Sequence, residues 1–187
     1  MTITRRDAIK KAALIFGGSF LMPDILKAWN EPIQNLAFIG TPEQQAMIAE
    51  IAELIIPTTD TPGAKAAGVP DFINKMVADC MTEKERTNFY TGLADLDKNC
   101  MEKYSKGFMA ASEAERTDIL QLSEKRAMDT DRKLIQGKPF FNQIKELTVT
   151  GYFTSEIGAT KALRYEAVPG RYDGALPYKK GDKAWAT

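Results

Sequence analysis

Apolar residues recur at the 3.6-residue period of an α-helix from about residue 41 onward. The first such segment has Thr41 as a helix N-cap, Pro42 at the first helical position and Gln44 at the capping-box position. The apolar stripe that follows consists of Met47, Ile48, Ile51, Ala52, Leu54 and Ile55. Pro57 ends the periodic pattern, and a polar loop rich in proline and glycine follows. The pattern predicts a helix that stops just before this loop.

Three further segments repeat the same pattern of a start signal followed by a helical stripe. One begins at Val69-Pro70-Asp71, and two begin with the capping boxes of Thr82 with Glu85 and Ser112 with Glu115. The predicted apolar faces are Val69, Ile73, Val77 and Cys80 in the first, Phe89, Leu93, Leu96 and Cys100 in the second, and Leu120, Ala127 and Leu134 in the third. Each segment is long enough for a helix of several turns.

The last periodic segments have aromatic residues near their start. An apolar segment runs from Pro139 through Phe140 and Phe141 and is predicted to stop at Gly151. A short helix is predicted to begin near Ser155. From about residue 165 the sequence is rich in turn residues and shows no period.

No stretch shows sustained alternation of polar and apolar residues, so the predicted fold class is mainly α. We expect a compact helical domain of five to six helices with a long irregular C-terminal segment. The predicted organisation is an export signal at residues 1–28, a linker at residues 29–40 and a single domain at residues 41–187.

Composition excludes several classes of chemistry. The 187 residues include two cysteines and no histidine, which excludes Ser-His-Asp and Cys-His catalytic units and histidine-ligated zinc. Two cysteines are also too few for a site built on four thiolates. The 25 basic residues balance the 25 acidic ones, so no basic excess indicates nucleic-acid binding.

The charge balance combines two unlike parts. Residues 1–28 carry five basic side chains against two acidic ones, whereas the rest carries 20 against 23. The N-terminal part has Arg5-Arg6 before an uncharged, glycine-containing run, and Thr4 and Lys10 also fit the twin-arginine export pattern. Ala8 stands where that pattern usually has phenylalanine. An ordinary secretory signal and an amphipathic helix are the alternatives.

The export prediction places the protein in the periplasm, with transient binding to the twin-arginine translocon. No Ala-x-Ala cleavage site follows the apolar run. Cleavage is therefore open, and a retained segment would attach the protein to the inner membrane as a short anchor. Because the twin-arginine route carries folded proteins and this chain has no cofactor motif, the signal also suggests a partner that carries a cofactor.

Two further features leave alternatives open. Cys80 and Cys100 both fall on predicted apolar helix faces, where they are either two buried thiols, a disulfide between successive helices, or a bond to a partner chain. Asp60, in a loop of threonines and prolines, is either a turn former or the carboxylate of a catalytic site.

Aromatic residues accumulate toward the C-terminus, among turn residues. Such a segment either folds back on its own core or spreads over another protein, for which aromatic side chains are favoured anchors. The aromatic residues concerned are Tyr152, Phe153, Tyr165, Tyr172, Tyr178 and Trp185.

Three strings together resemble the gluconate 2-dehydrogenase subunit 3 family, over roughly residues 41–175. They are Ile55-Ile56-Pro57-Thr58-Thr59-Asp60-Thr61-Pro62-Gly63-Ala64 with Gly68-Val69-Pro70-Asp71-Phe72-Ile73, Phe140-Phe141 with Leu147-Thr148-Val149-Thr150-Gly151-Tyr152-Phe153-Thr154-Ser155-Glu156-Ile157-Gly158, and Leu163-Arg164-Tyr165-Glu166 with Val168-Pro169-Gly170. The resemblance implies a small, non-catalytic subunit of a membrane-associated sugar or sugar-acid dehydrogenase. Its partner would be an FAD-dependent subunit of the glucose–methanol–choline type, and in many such complexes a multihaem cytochrome c subunit accepts the electrons.

The same resemblance implies that the small subunit carries the signal-less flavoprotein across the membrane as a folded passenger. No catalytic, cofactor-binding or metal-binding residue is then expected in this chain, and FAD is expected in the partner. We expect partner contacts in residues 58–63, 151–158 and 165–172. The individual candidates are Thr58, Thr59, Asp60, Pro62, Tyr152, Phe153, Tyr165 and Tyr172. The alternatives are a stand-alone exported enzyme built on carboxylates and a periplasmic structural or binding module.

Overall fold

The computed structural model describes residues 40–129, 138–168, 170 and 173–186, all of which belong to the unit Ala37–Thr187. The predicted signal at residues 1–28, with Arg5 and Arg6, lies outside the described residues, as do the linker up to residue 39 and Leu134. The described elements are α1 (Pro42–Ile55), α2 (Val69–Asp79), α3 (Glu83–Tyr104), a 3₁₀ turn (Phe108–Ala110), α4 (Glu113–Asp129), α5 (Phe140–Thr154), a π-helical turn (Gly158–Ala162), β1 (Arg164–Tyr165) and β2 (Trp185–Ala186). The mainly α prediction is confirmed.

The three predicted capping boxes start α1, α3 and α4. The backbone N–H groups of Thr41, Thr82 and Ser112 donate to the side chain three positions further on, at 2.9, 2.9 and 2.7 Å. The hydroxyl groups of the same three residues accept from the backbone N–H of those later residues. These bonds satisfy donors that a helix N-terminus otherwise leaves without partners, so the sequence sets these three helix starts locally.

The core is one cluster into which all five helices point an apolar face, and α5 packs against each of the other four. Phe89 of α3 is fully buried and meets the rings of Tyr90 and Phe140 edge to face, at centroid distances of 5.7 and 5.2 Å. Phe108 of the 3₁₀ turn is also fully buried. Sequence periodicity did not predict this turn, because three residues are too few to show a period.

Helix α5 corrects one prediction, because it does not stop at Gly151 but continues to Thr154. A Cβ atom at position 151 would lie 2.6 Å from a ring carbon of Phe72 in α2. This glycine lets two helices approach closely and is not a helix terminator. The local stop signal was therefore overridden by packing between α2 and α5.

One of the two cysteines also differs from expectation. Cys80 follows the last residue of α2 and is exposed, so its predicted place on an apolar face is wrong. The residue falls at the end of the helix, where the chain turns toward Thr82. Cys100 is buried in the core as predicted, and both thiols are free in this structure. Burial raises the pKa of Cys100, and the neighbouring Asp97 and Glu115 carboxylates raise it further.

The C-terminal segment is held by a minimal parallel pairing of β1 with β2. Arg164 N–H donates to Ala184 O at 2.8 Å, and Glu166 N–H donates to Ala186 O at 2.9 Å. Apart from this pairing the described residues beyond 165 form turns and irregular backbone, as the sequence predicted. Among the residues that the structure describes, no helix is both long and apolar enough to cross a membrane.

Candidate partner-binding surface

The loop after α1 is organised by one carboxylate, that of Glu53. Its Oε1 accepts from the backbone N–H of Thr58 at 3.0 Å and from the Thr58 hydroxyl at 2.7 Å. Its Oε2 accepts from the N–H of Lys65 at 2.8 Å. Two oxygens of one side chain therefore bind both ends of a loop that has no regular secondary structure of its own.

The electrostatics of Glu53 follow from these bonds. Partial burial raises the pKa of Glu53, but the hydrogen bonds from Lys65 N–H and from Thr58 lower it by more, so that the pKa lies below its ordinary value of 4.5. The carboxylate is thus ionised at neutral pH, and the ionised form is the one that the loop donors require.

Gly63 closes the loop against this carboxylate. Its N–H donates to Thr58 Oγ1 at 3.0 Å. A Cβ atom on Gly63 would lie 2.3 Å from Glu53 Oε1 and 2.6 Å from the Thr58 backbone nitrogen. The glycine of the Pro-Thr-Thr-Asp-Thr-Pro-Gly string is therefore required by close approach of the chain to Glu53.

Tyr152 connects this loop to the end of α5. Its hydroxyl donates to Pro62 O at 2.7 Å, and its side chain is 2% exposed. Tyr152 is therefore a core residue, and its prediction as a partner contact is wrong. The adjacent Phe153 packs edge to face on Tyr152 at 5.3 Å and remains 40% exposed.

The tip of the loop faces solvent. Thr58, Thr59 and Asp60 are exposed, while Pro62 is half-buried. The hydroxyl of Thr59 donates to Asp60 Oδ1 at 2.9 Å, and this bond, with further help from Lys183, holds the pKa of Asp60 below its ordinary value.

The C-terminal segment contributes a cationic and aromatic surface beside this end of the molecule. The guanidinium group of Arg164 lies 3.9 Å from the centroid of the Trp185 ring, and Trp185 is 47% exposed. The ammonium group of Lys183 donates to the carbonyl oxygen of Lys161. Tyr165, next to Arg164 in β1, is 50% exposed.

The Glu53-centred loop, the end of α5 and β1 fall within a match to a known family model, whereas Lys183 and Trp185 lie beyond it. Residues 42–170 match the model described as gluconate 2-dehydrogenase subunit 3. The chain belongs to the gluconate 2-dehydrogenase subunit 3 family. No curated protein and no solved structure matches it.

As a member of this family, the chain is a subunit of a dehydrogenase complex. The contacts of Glu53, Pro62 and Tyr152 show that part of its recognisable sequence serves its own fold. The Pro-Thr-Thr-Asp-Thr-Pro-Gly string forms the Glu53-centred loop, and the Tyr152 hydroxyl in the second string fixes that loop to α5. The exposed residues of the same strings are the ones available for contact with a partner.

The predicted contact residues thus divide into three groups. Thr58, Thr59, Asp60, Phe153 and Tyr165 are exposed and available to a partner, and Pro62 is partly available. Tyr152 is buried, whereas Tyr172 lies outside the described residues. Within the described ranges, no three side chains of His, Cys, Asp or Glu come together as a metal-binding group.

Sequence reasoning missed Glu53 and Lys183. Glu53 lies within α1 and resembles any polar residue on a solvent-facing helix surface, so no local motif marks its role. Lys183 comes close to Asp60 only through the fold, across more than 120 residues of chain. Both roles depend on tertiary contacts that no spacing rule encodes.

Proposed function

We propose that this chain is the non-catalytic small subunit of an FAD-dependent sugar or sugar-acid dehydrogenase whose catalytic subunit is of the glucose–methanol–choline type. In this proposal the chain binds the FAD-loaded flavoprotein in the cytoplasm and takes it through the twin-arginine translocon. It then stays bound in the periplasm and stabilises its partner there, either free or attached to the inner membrane. A cytochrome c subunit would accept the electrons in such a complex.

The proposal is carried by one combination: a dehydrogenase-subunit family match and an Arg5-Arg6 export pattern on the same chain. The twin-arginine route serves proteins that fold before export. A chain without a recognisable cofactor motif gains nothing from that route for itself. A flavoprotein that must acquire FAD in the cytoplasm does benefit from a route that transports folded proteins.

The described surface supports binding to another protein. Large apolar side chains are exposed near the end of α5 and along the C-terminal segment, where they are available for contact with another protein. They are Val149, Phe153, Tyr165, Val168, Leu176, Tyr178 and Trp185. Tyrosine and tryptophan are enriched at the energetic centres of protein interfaces.

Co-expression tests the assignment. The full chain would be expressed alone and together with a flavoprotein of the glucose–methanol–choline type from the same organism, and both preparations assayed with gluconate and glucose using an artificial electron acceptor. We expect a yellow complex with dehydrogenase activity from the co-expression and no turnover from the chain alone. Turnover by the isolated chain would refute the accessory role.

The same preparations also test the other alternative, a periplasmic structural or binding module. A periplasmic structural module would purify without a flavin-containing partner even when the flavoprotein is present. Absence of FAD absorbance from the purified chain in the co-expression experiment would therefore contradict the proposal.

A further inference from the structure

The C-terminal surface contains an exposed guanidinium group, that of Arg164, whose side chain has no hydrogen-bond acceptor among the described residues. The central carbon of the Arg164 guanidinium lies 3.9 Å from the centroid of the Trp185 ring, within the range of a cation–π contact, and Arg164 is exposed. Among the described residues, no carboxylate forms an ion pair with Arg164, and no acceptor binds its side chain. A planar guanidinium with free N–H groups matches a carboxylate in two parallel hydrogen bonds.

The surroundings of Arg164 add charge of the same sign. Thr160, Leu163, Arg164, Tyr165, Asp182 and Lys183 line a shallow open depression of about 480 Å³. Lys161, Lys179 and Lys180 are exposed nearby in sequence, and none of these lysines, nor Lys183, is paired with a carboxylate in the described part of the chain. Asp182 accepts instead from the backbone N–H of Lys179 at 2.9 Å. This depression, together with the Trp185 ring against Arg164, is called here the Arg164 patch.

We propose that the Arg164 patch is the docking site for a carboxylate side chain set in an apolar-edged surface of the flavoprotein subunit. The inference rests on the proposed function and specifies the chemistry of its interface. Arg164 receives the carboxylate through two N–H···O bonds, and the exposed ring of Trp185 against Arg164 excludes water from them. Lys183, which approaches both Asp60 and Lys161, extends the patch toward the loop tip.

A protein partner fits this patch better than an anionic membrane. Asp60, Glu166 and Asp173 are exposed in or beside the same segments, and phosphate headgroups would repel them. The cations also sit on turns and short strands and do not form the basic face of an amphipathic helix, which is the usual membrane-surface arrangement. Mixed charge with exposed aromatic rings is typical of a protein interface.

Charge reversal and conservative replacement test the proposal together. The full chain and its variants Arg164→Glu, Arg164→Lys and Trp185→Ala would be titrated with the purified flavoprotein by calorimetry. Lys125→Glu, on the exposed face of α4, is the matched charge-reversal control. Circular dichroism and urea midpoints of each variant would verify folding, which the exposed position of Arg164 should preserve.

We expect Arg164→Glu to raise Kd by at least about tenfold. Arg164→Lys and Trp185→Ala should also raise Kd, but by a smaller factor. Lys125→Glu should leave Kd within about twofold of wild type, since it lies elsewhere on the surface. Added salt should weaken wild-type binding more than binding of Arg164→Glu, because it screens an attraction that the variant lacks.

Three other outcomes separate the possible failures. If the wild-type chain binds the flavoprotein and Arg164→Glu binds equally well, the patch assignment is wrong and the proposed function stands. If the wild-type chain does not bind the flavoprotein at all, the proposed function itself fails. If vesicles containing phosphatidylglycerol bind the wild-type chain but not Arg164→Glu, while flavoprotein binding is unaffected, the patch is a membrane surface and the proposal is overturned.

Discussion

At the scale of single residues, Glu53 links the family-specific loop to helix α1. Its two oxygens bind Thr58 and Lys65, and Gly63 is the residue that fits beside it. Glu53→Gln replaces one acceptor oxygen by an NH₂ group, which would face a donor. We expect a loss of about 1–2 kcal/mol in the free energy of unfolding, measured by urea denaturation at neutral pH. The exposed Glu156→Gln serves as control, and an equal effect in the two variants would contradict this role.

The same residue makes a pH-dependent prediction. Since the folded pKa of Glu53 lies below 4.5, its stabilising effect is present above that value and is lost as pH falls through the folded pKa. The stability difference between wild type and Glu53→Gln should therefore be constant at neutral pH and narrow below about pH 4.5. Urea denaturation of both proteins at several pH values measures it. If the stability difference between the two proteins instead widens on acidification, the ionised carboxylate is not the form that holds the loop.

Gly63 gives a steric test of the same loop. Gly63→Ala would place Cβ 2.3 Å from Glu53 Oε1, so either the carboxylate or the loop must move. We expect a cost of about 1–3 kcal/mol in unfolding free energy, measured by urea denaturation. At Gly170 no heavy atom of the described part of the chain lies within 4 Å of an added Cβ, so Gly170→Ala should be nearly neutral. Equal urea midpoints for the two variants would refute the close-approach argument.

At the scale of elements, α5 shows where local sequence signals succeed and fail. The capping boxes at Thr41, Thr82 and Ser112 are correct because each is a contact over three residues. Gly151 was misjudged because its role lies in the approach of α5 to Phe72 of α2, which depends on the tertiary fold. The 3₁₀ turn at Phe108 was not predicted, because its three residues are too few to show a helical period.

Gly151→Ala tests this interpretation of α5. Alanine favours a helix by about 1 kcal/mol over glycine, whereas its Cβ would lie 2.6 Å from the Phe72 ring. We expect the clash to outweigh the helix preference, with a net loss of about 1–2 kcal/mol in thermal or urea unfolding. Thr150→Ala, exposed on the same helix, should be neutral or stabilising. If Gly151→Ala were more stable than wild type, the contact between α2 and α5 would be loose enough to accommodate a Cβ atom at position 151.

The candidate surface was only partly predictable from the sequence. The loop tip, Phe153 and Tyr165 are exposed, so their contact with a partner stays a prediction that the structure allows. Tyr152 was misassigned because sequence alone does not show which of two adjacent aromatic residues faces the core. Stacking of Arg164 on Trp185 joins residues 21 positions apart through the β1–β2 pairing, which no local pattern encodes.

At the scale of the whole molecule, the neutral formal charge combines a basic N-terminal segment with an acidic remainder. The proposed function assigns the basic part to export, and the Arg164 patch supplies a local cationic surface within the acidic part. The two features have separate tests. Changing Arg5 and Arg6 should alter where the complex is found, whereas changing Arg164 should alter whether it forms.

The central claim is that this chain carries its flavoprotein partner across the membrane. Arg5→Lys with Arg6→Lys keeps the charge but removes the arginine pair of the export pattern, and Lys11→Arg with Lys27→Arg, outside that pattern, is the matched control. The decisive measurement is FAD-dependent dehydrogenase activity in periplasmic and cytoplasmic fractions of cells that co-express both chains. We predict that the activity moves to the cytoplasm in the Arg5/Arg6 variant, with the complex intact, and stays periplasmic in the control. Periplasmic flavoprotein at the wild-type level in the Arg5/Arg6 variant would contradict the account.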